Sequence, residues 1–111
     1  MKEGDVVLAA LPQADLSVKH RPALALRQVP PYSDWLLCGI SSQLQQAAPD
    51  FDEILGPAEA DYSTSGLRVP SVIRLGFLGT IPERLIKGRT GWVSAARHRR
   101  LLARLAAHLS P

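Results

Sequence analysis

The sequence predicts a mainly β protein: a small, strongly bent antiparallel barrel that ends in one C-terminal α-helix. Three observations predict this fold class. Short apolar runs, separated by turns with proline and glycine, occupy the chain to about residue 93. The segment from Val69 to Leu78 alternates between two faces, as a β-strand does. From about residue 95 to 109, leucines recur at the three- and four-residue spacing of a helix packed on a sheet.

Length, composition and cysteine use are those of an ordinary globular chain. The 111 residues suffice for one domain, 1–111, with the barrel at about 3–93 and the helix at about 95–109. The net charge of +3 is compatible with a polyanionic partner. The single cysteine, Cys38, excludes an internal disulfide and is typical of a reducing compartment. No stretch approaches the ~20 apolar residues of a membrane span, so we expect a cytoplasmic protein that does not engage a membrane.

The apolar runs predict six strands. Pro12 ends the first strand, and the pair Pro30-Pro31 ends the second. Gly39, inside the third, marks a bulge or a close backbone approach. The segment 43–65 is polar and proline-broken, with one weak strand near Ile54. The predicted strands are 6–11, 22–28, 35–41, a short one within 51–55, 69–78 and 89–93, with one helical turn over 82–87.

The strand at 69–78 carries a charge in its middle. Ile73, Leu75 and Phe77 share one parity, whereas Arg74 and Gly76 share the other. Arg74 is therefore expected to point away from the apolar face. Because a charged side chain in mid-strand needs either solvent or an anion, this second face is predicted to be a binding surface or a rim.

The terminal helix is predicted to begin after Ser94, a good N-cap residue. Its buried stripe is expected to consist of Leu101, Leu102, Leu105 and Leu109, with Ala106 between them. The histidines and arginines of this helix are expected at the surface; they are Arg97, His98, Arg99, Arg100, Arg104 and His108.

Two strand ends offer polar groups to a common ligand. Lys19, His20 and Arg21 stand immediately before the second strand, and the third strand ends on Ser41, Ser42 and Gln43. This layout suits an anionic, hydrogen-bonding ligand such as a phosphodiester. No grouping has metal-ligand spacing and no glycine-rich phosphate loop is present, so no metal and no cofactor are predicted. Taken alone, the pattern favours a solvated strand start for Arg21, and Arg74 is compatible with an edge charge that discourages aggregation.

Several of these motifs, in order, resemble the MazF/PemK family of bacterial toxin ribonucleases. They are Gly4-Asp-Val-Val-Leu-Ala-Ala-Leu-Pro12, His20-Arg-Pro-Ala-Leu-Ala-Leu26 and Ile40-Ser-Ser-Gln43. A later block, Gly66-Leu-Arg-Val-Pro-Ser-Val-Ile-Arg-Leu75 with Thr80-Ile81, Leu85-Ile-Lys87 and Gly91, resembles the PemK-like branch. The resemblance covers roughly residues 3 to 109.

The resemblance implies a fold, an activity and partners. The fold is an SH3-like antiparallel barrel of the MazF/PemK/CcdB kind with a C-terminal helix, assembled as a homodimer. The activity is that of an mRNA interferase, a metal-independent endoribonuclease that cuts single-stranded RNA and leaves a 2′,3′-cyclic phosphate and a 5′-hydroxyl. The partners are the RNA substrate and a cognate antitoxin protein, together with which such toxins bind DNA.

The family's catalytic residues can be carried over position by position. Arg21 matches the catalytic arginine, Ser41 a position that is usually threonine, and Arg74 an arginine that the PemK branch uses near the scissile phosphate. Where that branch has an aspartate, this chain has Gly76, so we take His20 as the substitute general base, since histidine exchanges a proton near neutral pH. The residues expected to contact RNA are Asp15, Ser17, Lys19, Ser42 and Gln43.

Two alternative functions stay open. A degenerate member of the same fold would bind RNA or its antitoxin without cutting, as the missing aspartate allows. A toxin of the same fold that poisons DNA gyrase would need no phosphate site, so the arginine-and-hydroxyl set speaks against it.

Overall fold

The computed structural model describes residues 1–12 and 19–111 as one antiparallel sheet with two helices. The six strands, in the order β4-β5-β3-β2-β1-β6, form a curled half-barrel, and the predicted fold class is confirmed. The elements are β1 (Asp5–Ala9), β2 (Arg21–Val29), β3 (Asp34–Ser41), β4 (Glu53–Leu55), α1 (Tyr62–Ser65), β5 (Ser71–Pro82), β6 (Gly88–Trp92) and α2 (Ala95–Leu109). Short 3-10 turns occupy Leu44–Gln46 and Glu83–Leu85.

A short helix, α1, packs against the outer strand β6. The hydroxyl of Thr64 donates a hydrogen bond to the carbonyl of Trp92 at 3.0 Å. Next to it, Gly91 lies so close to the backbone of Thr64 and Ser65 that a Cβ atom would overlap it. The helix is thus fixed against this edge of the sheet. The sequence analysis predicted no helix here, because four residues carry no readable periodicity.

Strand alternation divides the buried side chains between the two faces of the sheet. One face packs against α2 through Leu24, Leu26, Ile73, Leu101 and Leu105, all of them buried. The other face carries a smaller cluster of short and aromatic side chains. Its buried members are Val7, Ala9, Leu11, Ala23, Ala25, Trp35 and Leu37.

The predicted parity of the fifth strand is wrong at Phe77. In the β3–β5 ladder Cys38 pairs with Leu78, yet Gly39 pairs with Arg74, so three residues of β5 bulge out of register. The bulge turns Phe77 to the face opposite Leu75, where its ring lies on Gly39, only 2.5 Å from where a Cβ would be. Both expectations for Gly39, a bulge and a close approach, are confirmed.

The terminal helix spans the predicted residues, but the burial of Leu109 and His98 differs from the prediction. The Ser94 hydroxyl caps it by accepting a hydrogen bond from the Arg97 amide at 3.1 Å. Leu109, expected in the buried stripe, is 68% exposed. His98, expected at the surface, is half-buried, with Nε2 2.8 Å from the Leu26 carbonyl oxygen. In the described ranges no helix has the length and apolar character that crossing a bilayer requires.

The expectation that all helix arginines lie at the surface is wrong for Arg97, which is buried. Its guanidinium bridges two carboxylates, with Nη1 2.6 Å from Glu53 Oε1 and Nε 2.8 Å from Asp61 Oδ2. Arg100 and Arg104, one turn and two turns further along, also contact Glu53, at 2.7 Å and 3.2 Å. Arg97, Arg100 and Arg104 therefore lie on one side of α2, where they share the carboxylate of Glu53.

The network shifts the protonation equilibria of both acids. The hydrogen bond from Arg97 lowers the pKa of Asp61 to about 2, against the opposing effect of burial. At Glu53 burial raises the pKa, but the hydrogen bond and charge of Arg100 and the charges of Arg97 and Arg104 outweigh it, and the net pKa is lowered. Both acids are therefore ionised in the folded protein at neutral pH.

Arg97→Leu should lower the free energy of unfolding by about 3 kcal/mol, because it leaves the Asp61 carboxylate buried and without its cation. Arg99→Leu, on the exposed side of the same helix, is the matched control and should change stability by less than about 0.5 kcal/mol. Urea denaturation followed by circular dichroism measures both. Equal midpoints for the two variants would contradict the proposed role of the network.

Candidate functional site

A cavity of about 940 Å³ opens at the end of the half-barrel where β2 begins and β3 ends. Three arginines line it: Arg21, Arg68 and Arg74. Among the described residues, no aspartate, glutamate or histidine belongs to the lining, and its other polar members are hydroxyl or amide side chains. The cavity is therefore strongly cationic and suits an anion.

Cross-strand pairing brings three predicted site residues together. Gly39 of β3 pairs with Ala23 of β2 on one side and with Arg74 of β5 on the other. Arg21 stands two residues before Ala23 on β2, and Ser41 stands two residues after Gly39 on β3; both side chains line the cavity. Arg21, Ser41 and Arg74 thus meet at one end of three adjacent strands, although 53 residues separate Arg21 from Arg74 in the chain.

Arg74 is held in place by apolar contact rather than by an acid. Its guanidinium carbon lies 5.8 Å from the centre of the Phe77 ring, within cation–π range. Its Nε is buried and has no hydrogen-bond partner within residues 1–12 and 19–111. Buried polar groups are nearly always paired, so this N–H is available to donate to a ligand. A bound phosphate oxygen would accept that hydrogen bond.

The polar end of β3 is partly ordered by its own hydrogen bonds. Ser41 Oγ accepts a hydrogen bond from the Gln43 amide at 3.0 Å. A hydroxyl that accepts still has one proton to donate, so Ser41 can donate to a ligand in the cavity. Ser42 and Gln43 also line the cavity, as their predicted role requires.

The remaining predicted site residues lie differently. Lys19 is exposed and, together with Arg21, lines a second, much smaller cavity next to the first. His20 is exposed and is not among the residues that line either cavity. Asp15 and Ser17 lie outside the described residues.

Sequence reasoning missed the far wall of the cavity. This wall is the segment 66–69, which connects α1 with β5 and supplies Arg68 to the lining. Its first residue, Gly66, has φ 74°, which favours glycine, and touches the backbone of Thr90 on β6. The resemblance had included this segment as a motif, but no periodicity or charge pattern indicated that it folds over the strand ends.

Cys38 takes no part in the site. It is fully buried, and desolvation by burial, the largest effect, raises the pKa of its thiol to about 12. The interpretation of Cys38 as a small buried hydrophobe is confirmed.

Comparison with known proteins places the chain in a family. The family of PemK-like, MazF-like toxins of type II toxin–antitoxin systems matches residues 2–109. The chain belongs to this family, whose members act opposite an antitoxin protein. The suspected relationship is confirmed.

Among solved structures, the Mycobacterium tuberculosis toxin MazF-mt6 is similar. The two share 24% sequence identity, with a TM-score of 0.62, over 94% of this chain and 93% of that one. At this identity the similarity shows the fold. No curated protein matches the chain.

The fit of α1 against β6 should hold the far wall of the cavity in place. Gly91→Ala is expected to lower the free energy of unfolding by about 1–3 kcal/mol, because its methyl group would overlap the backbone of α1. Gly88→Ala, on the same strand with no atom within 4 Å of the new methyl, should leave stability nearly unchanged. Thermal denaturation of the two variants makes the comparison, and a Gly88→Ala variant as unstable as Gly91→Ala would show that strand β6 merely requires glycine.

Proposed function

We propose that this toxin is an endoribonuclease that cleaves single-stranded RNA at the arginine-lined cavity. The observation that carries the proposal is the meeting of Arg21, Ser41 and Arg74 at the strand ends, with the Arg74 Nε buried and lacking a partner among the described residues. A phosphodiester supplies the missing acceptor and negative charge. Membership of the MazF-like toxins supports the same substrate class.

The reaction is cleavage by the substrate's own ribose. The 2′-oxygen loses its proton to a base and attacks the adjacent phosphorus, while the bond from phosphorus to the 5′-oxygen breaks and that oxygen takes up a proton. The products are a 2′,3′-cyclic phosphate and a 5′-hydroxyl, and no external electron donor or water is consumed. Negative charge builds up on the non-bridging oxygens only towards the transition state, so donors fixed around them lower the barrier.

Each of the three residues has a role in this scheme. Arg21 and Arg74 neutralise the growing charge on the phosphorane, and the Ser41 hydroxyl donates to a non-bridging oxygen. A guanidinium stays protonated in proteins, so it has no free lone pair with which to accept a proton. The two arginines therefore act mainly by binding and by charge stabilisation.

The general base is proposed to be His20, which precedes Arg21 on the approach to β2. No imidazole or carboxylate lines the cavity among the described residues, so a base must come from its rim or beyond. His20 is exposed and adjoins Arg21, which lines the cavity. Lys19, Ser42 and Gln43, with Asp15 and Ser17, are proposed to contact the rest of the strand.

The same proposal covers the partners and the setting. The chain is taken as one toxin domain, active in the cytoplasm as a homodimer and inhibited by an acidic antitoxin segment that occupies the cationic cavity. Bound to the antitoxin, it would also bind DNA. The gyrase-poisoning alternative needs no phosphate site, so the arginine-lined cavity gives it no support.

A second function, RNA binding without cleavage, is favoured by one observation. The position that carries an aspartate in the PemK pattern is Gly76, which is exposed and not part of the cavity lining. The nearest atom to a Cβ at this position is Phe51 Cε2 at 4.0 Å, so an aspartate would fit sterically. The carboxylate is thus missing at Gly76 although the space around this residue would admit it.

The wild-type protein should cut single-stranded RNA in the presence of EDTA. Arg21→Ala should lower kcat by about 100-fold or more, and Ser41→Ala by about tenfold to 100-fold, because each removes a donor to the charged transition state. Gel analysis of end-labelled RNA measures the rates, and the 2′,3′-cyclic phosphate is identified by mass spectrometry. Absence of cutting by folded, antitoxin-free wild type that still binds RNA would favour the binding function instead.

His20→Ala should lower the cleavage rate at neutral pH and flatten its dependence on pH in the acid range, since an unprotonated imidazole is the proposed acceptor. The control is His108→Ala, a histidine on α2 whose ring contacts Phe51 and which is not part of the cavity lining. Initial rates measured across the pH range test this role. An unchanged pH profile for His20→Ala would show that another group takes the proton.

A further inference from the structure

Arg68 differs from the other two cavity arginines in where it stands. Arg21 and Arg74 belong to strands of the sheet, whereas Arg68 belongs to the segment 66–69, which lines the cavity between α1 and β5. This segment is anchored at Gly66 against Thr90 of β6 and at Ser71, whose hydroxyl donates to the Val69 carbonyl at 2.9 Å. Arg68 therefore lines the same cavity as the two strand arginines, from a segment whose two ends are both held in place.

The ion pairs of the described residues separate the cavity arginines from most others. Five arginines outside the cavity are each paired with an acid, and none of the three inside it is in such a pair. The paired arginines are Arg27, Arg89, Arg97, Arg100 and Arg104. Three guanidinium groups share one cavity without an acidic side chain in its described lining, an arrangement that a single phosphate does not balance.

We propose that Arg68 holds the phosphate next to the scissile one, as a positioning residue for single-stranded RNA. This inference rests on the proposed function of the cavity. A polynucleotide strand that places one phosphate between Arg21 and Arg74 carries its next charge one nucleotide further along, and the far wall is where the third guanidinium stands. Arg68 gives that phosphate a partner and sets the direction in which the strand crosses the cavity, without touching the reacting atoms.

This role predicts an effect on binding and none on the chemical step. The contact is the same in the ground state and the transition state, so its loss raises KM and leaves kcat unchanged. It is also independent of base sequence, since phosphates carry none. Finally, loss of the contact leaves one fewer phosphate neutralised. The slope of the logarithm of the binding constant against the logarithm of the salt concentration therefore becomes shallower by about 0.7 for a single strand.

The first test uses an uncleavable probe, single-stranded DNA that lacks the 2′-hydroxyl, with binding followed by fluorescence anisotropy at several salt concentrations. Arg68→Ala should weaken binding about five- to tenfold and flatten the salt slope by about 0.7, and Arg68→Lys should restore part of the loss. Arg84→Ala, an exposed arginine outside the cavity lining, is the control and should match wild type. Equal effects of Arg68→Ala and Arg84→Ala would overturn the proposal, since a nonspecific loss of charge would explain both.

A second test locates the phosphate. The probes are short DNA strands, each with one uncharged methylphosphonate linkage at a different position. For each variant, one such linkage should abolish the loss of binding affinity that the variant causes. The linkage found for Arg68→Ala should be adjacent to the linkage found for Arg21→Ala. If both variants point to the same linkage, Arg68 belongs to the scissile phosphate and the proposal is wrong.

These tests keep the two proposals separable. Failure of wild type to cut RNA, with the DNA results as expected, would overturn the nuclease and leave the Arg68 contact standing. If Arg21→Ala abolishes cleavage and Arg68→Ala leaves KM unchanged, the nuclease proposal stands and the Arg68 contact is overturned.

Discussion

The contacts of Arg97 with Glu53 and Asp61 are the constraint on which most of this structure depends. Through them one buried guanidinium ties together the outer strand β4, the start of α1 and the first turn of α2. Asp61 also accepts a hydrogen bond from the Ser94 amide, so the same carboxylate fixes where the terminal helix begins. Because the group is buried, its charges attract each other strongly, and removal of one leaves another unpaired.

The candidate site depends on this constraint indirectly, through α1. The segment that forms the far wall of the cavity leaves α1 directly, and α1 is positioned by Asp61 on one side and by β6 on the other. The strand-end side of the cavity depends instead on the β3–β5 bulge, which brings Arg74 beside Gly39 and places Phe77 under it. The β3–β5 bulge thus positions Arg74, and the contact of α1 with β6 positions the segment that carries Arg68.

The sequence analysis succeeded where a signal was local. Strand runs bounded by proline and the N-cap at Ser94 each depend on a few neighbouring residues, and each was found. It failed where a partner lies far along the chain. Arg97 was taken for a surface residue because its acids stand 44 and 36 positions away, in segments with no visible relation to the helix.

By itself the sequence determined the strand content, the terminal helix, the family resemblance and the identity of Arg21, Ser41 and Arg74 as site candidates, since all of these follow from short patterns of residue type. Only the tertiary structure decided that Phe77 faces away from Leu75, that Arg97 is buried and that Arg68 lines the cavity. The physical reason is that a bulge, an ion network and a crossing segment are set by contacts between residues distant in the chain, which residue periodicity does not encode.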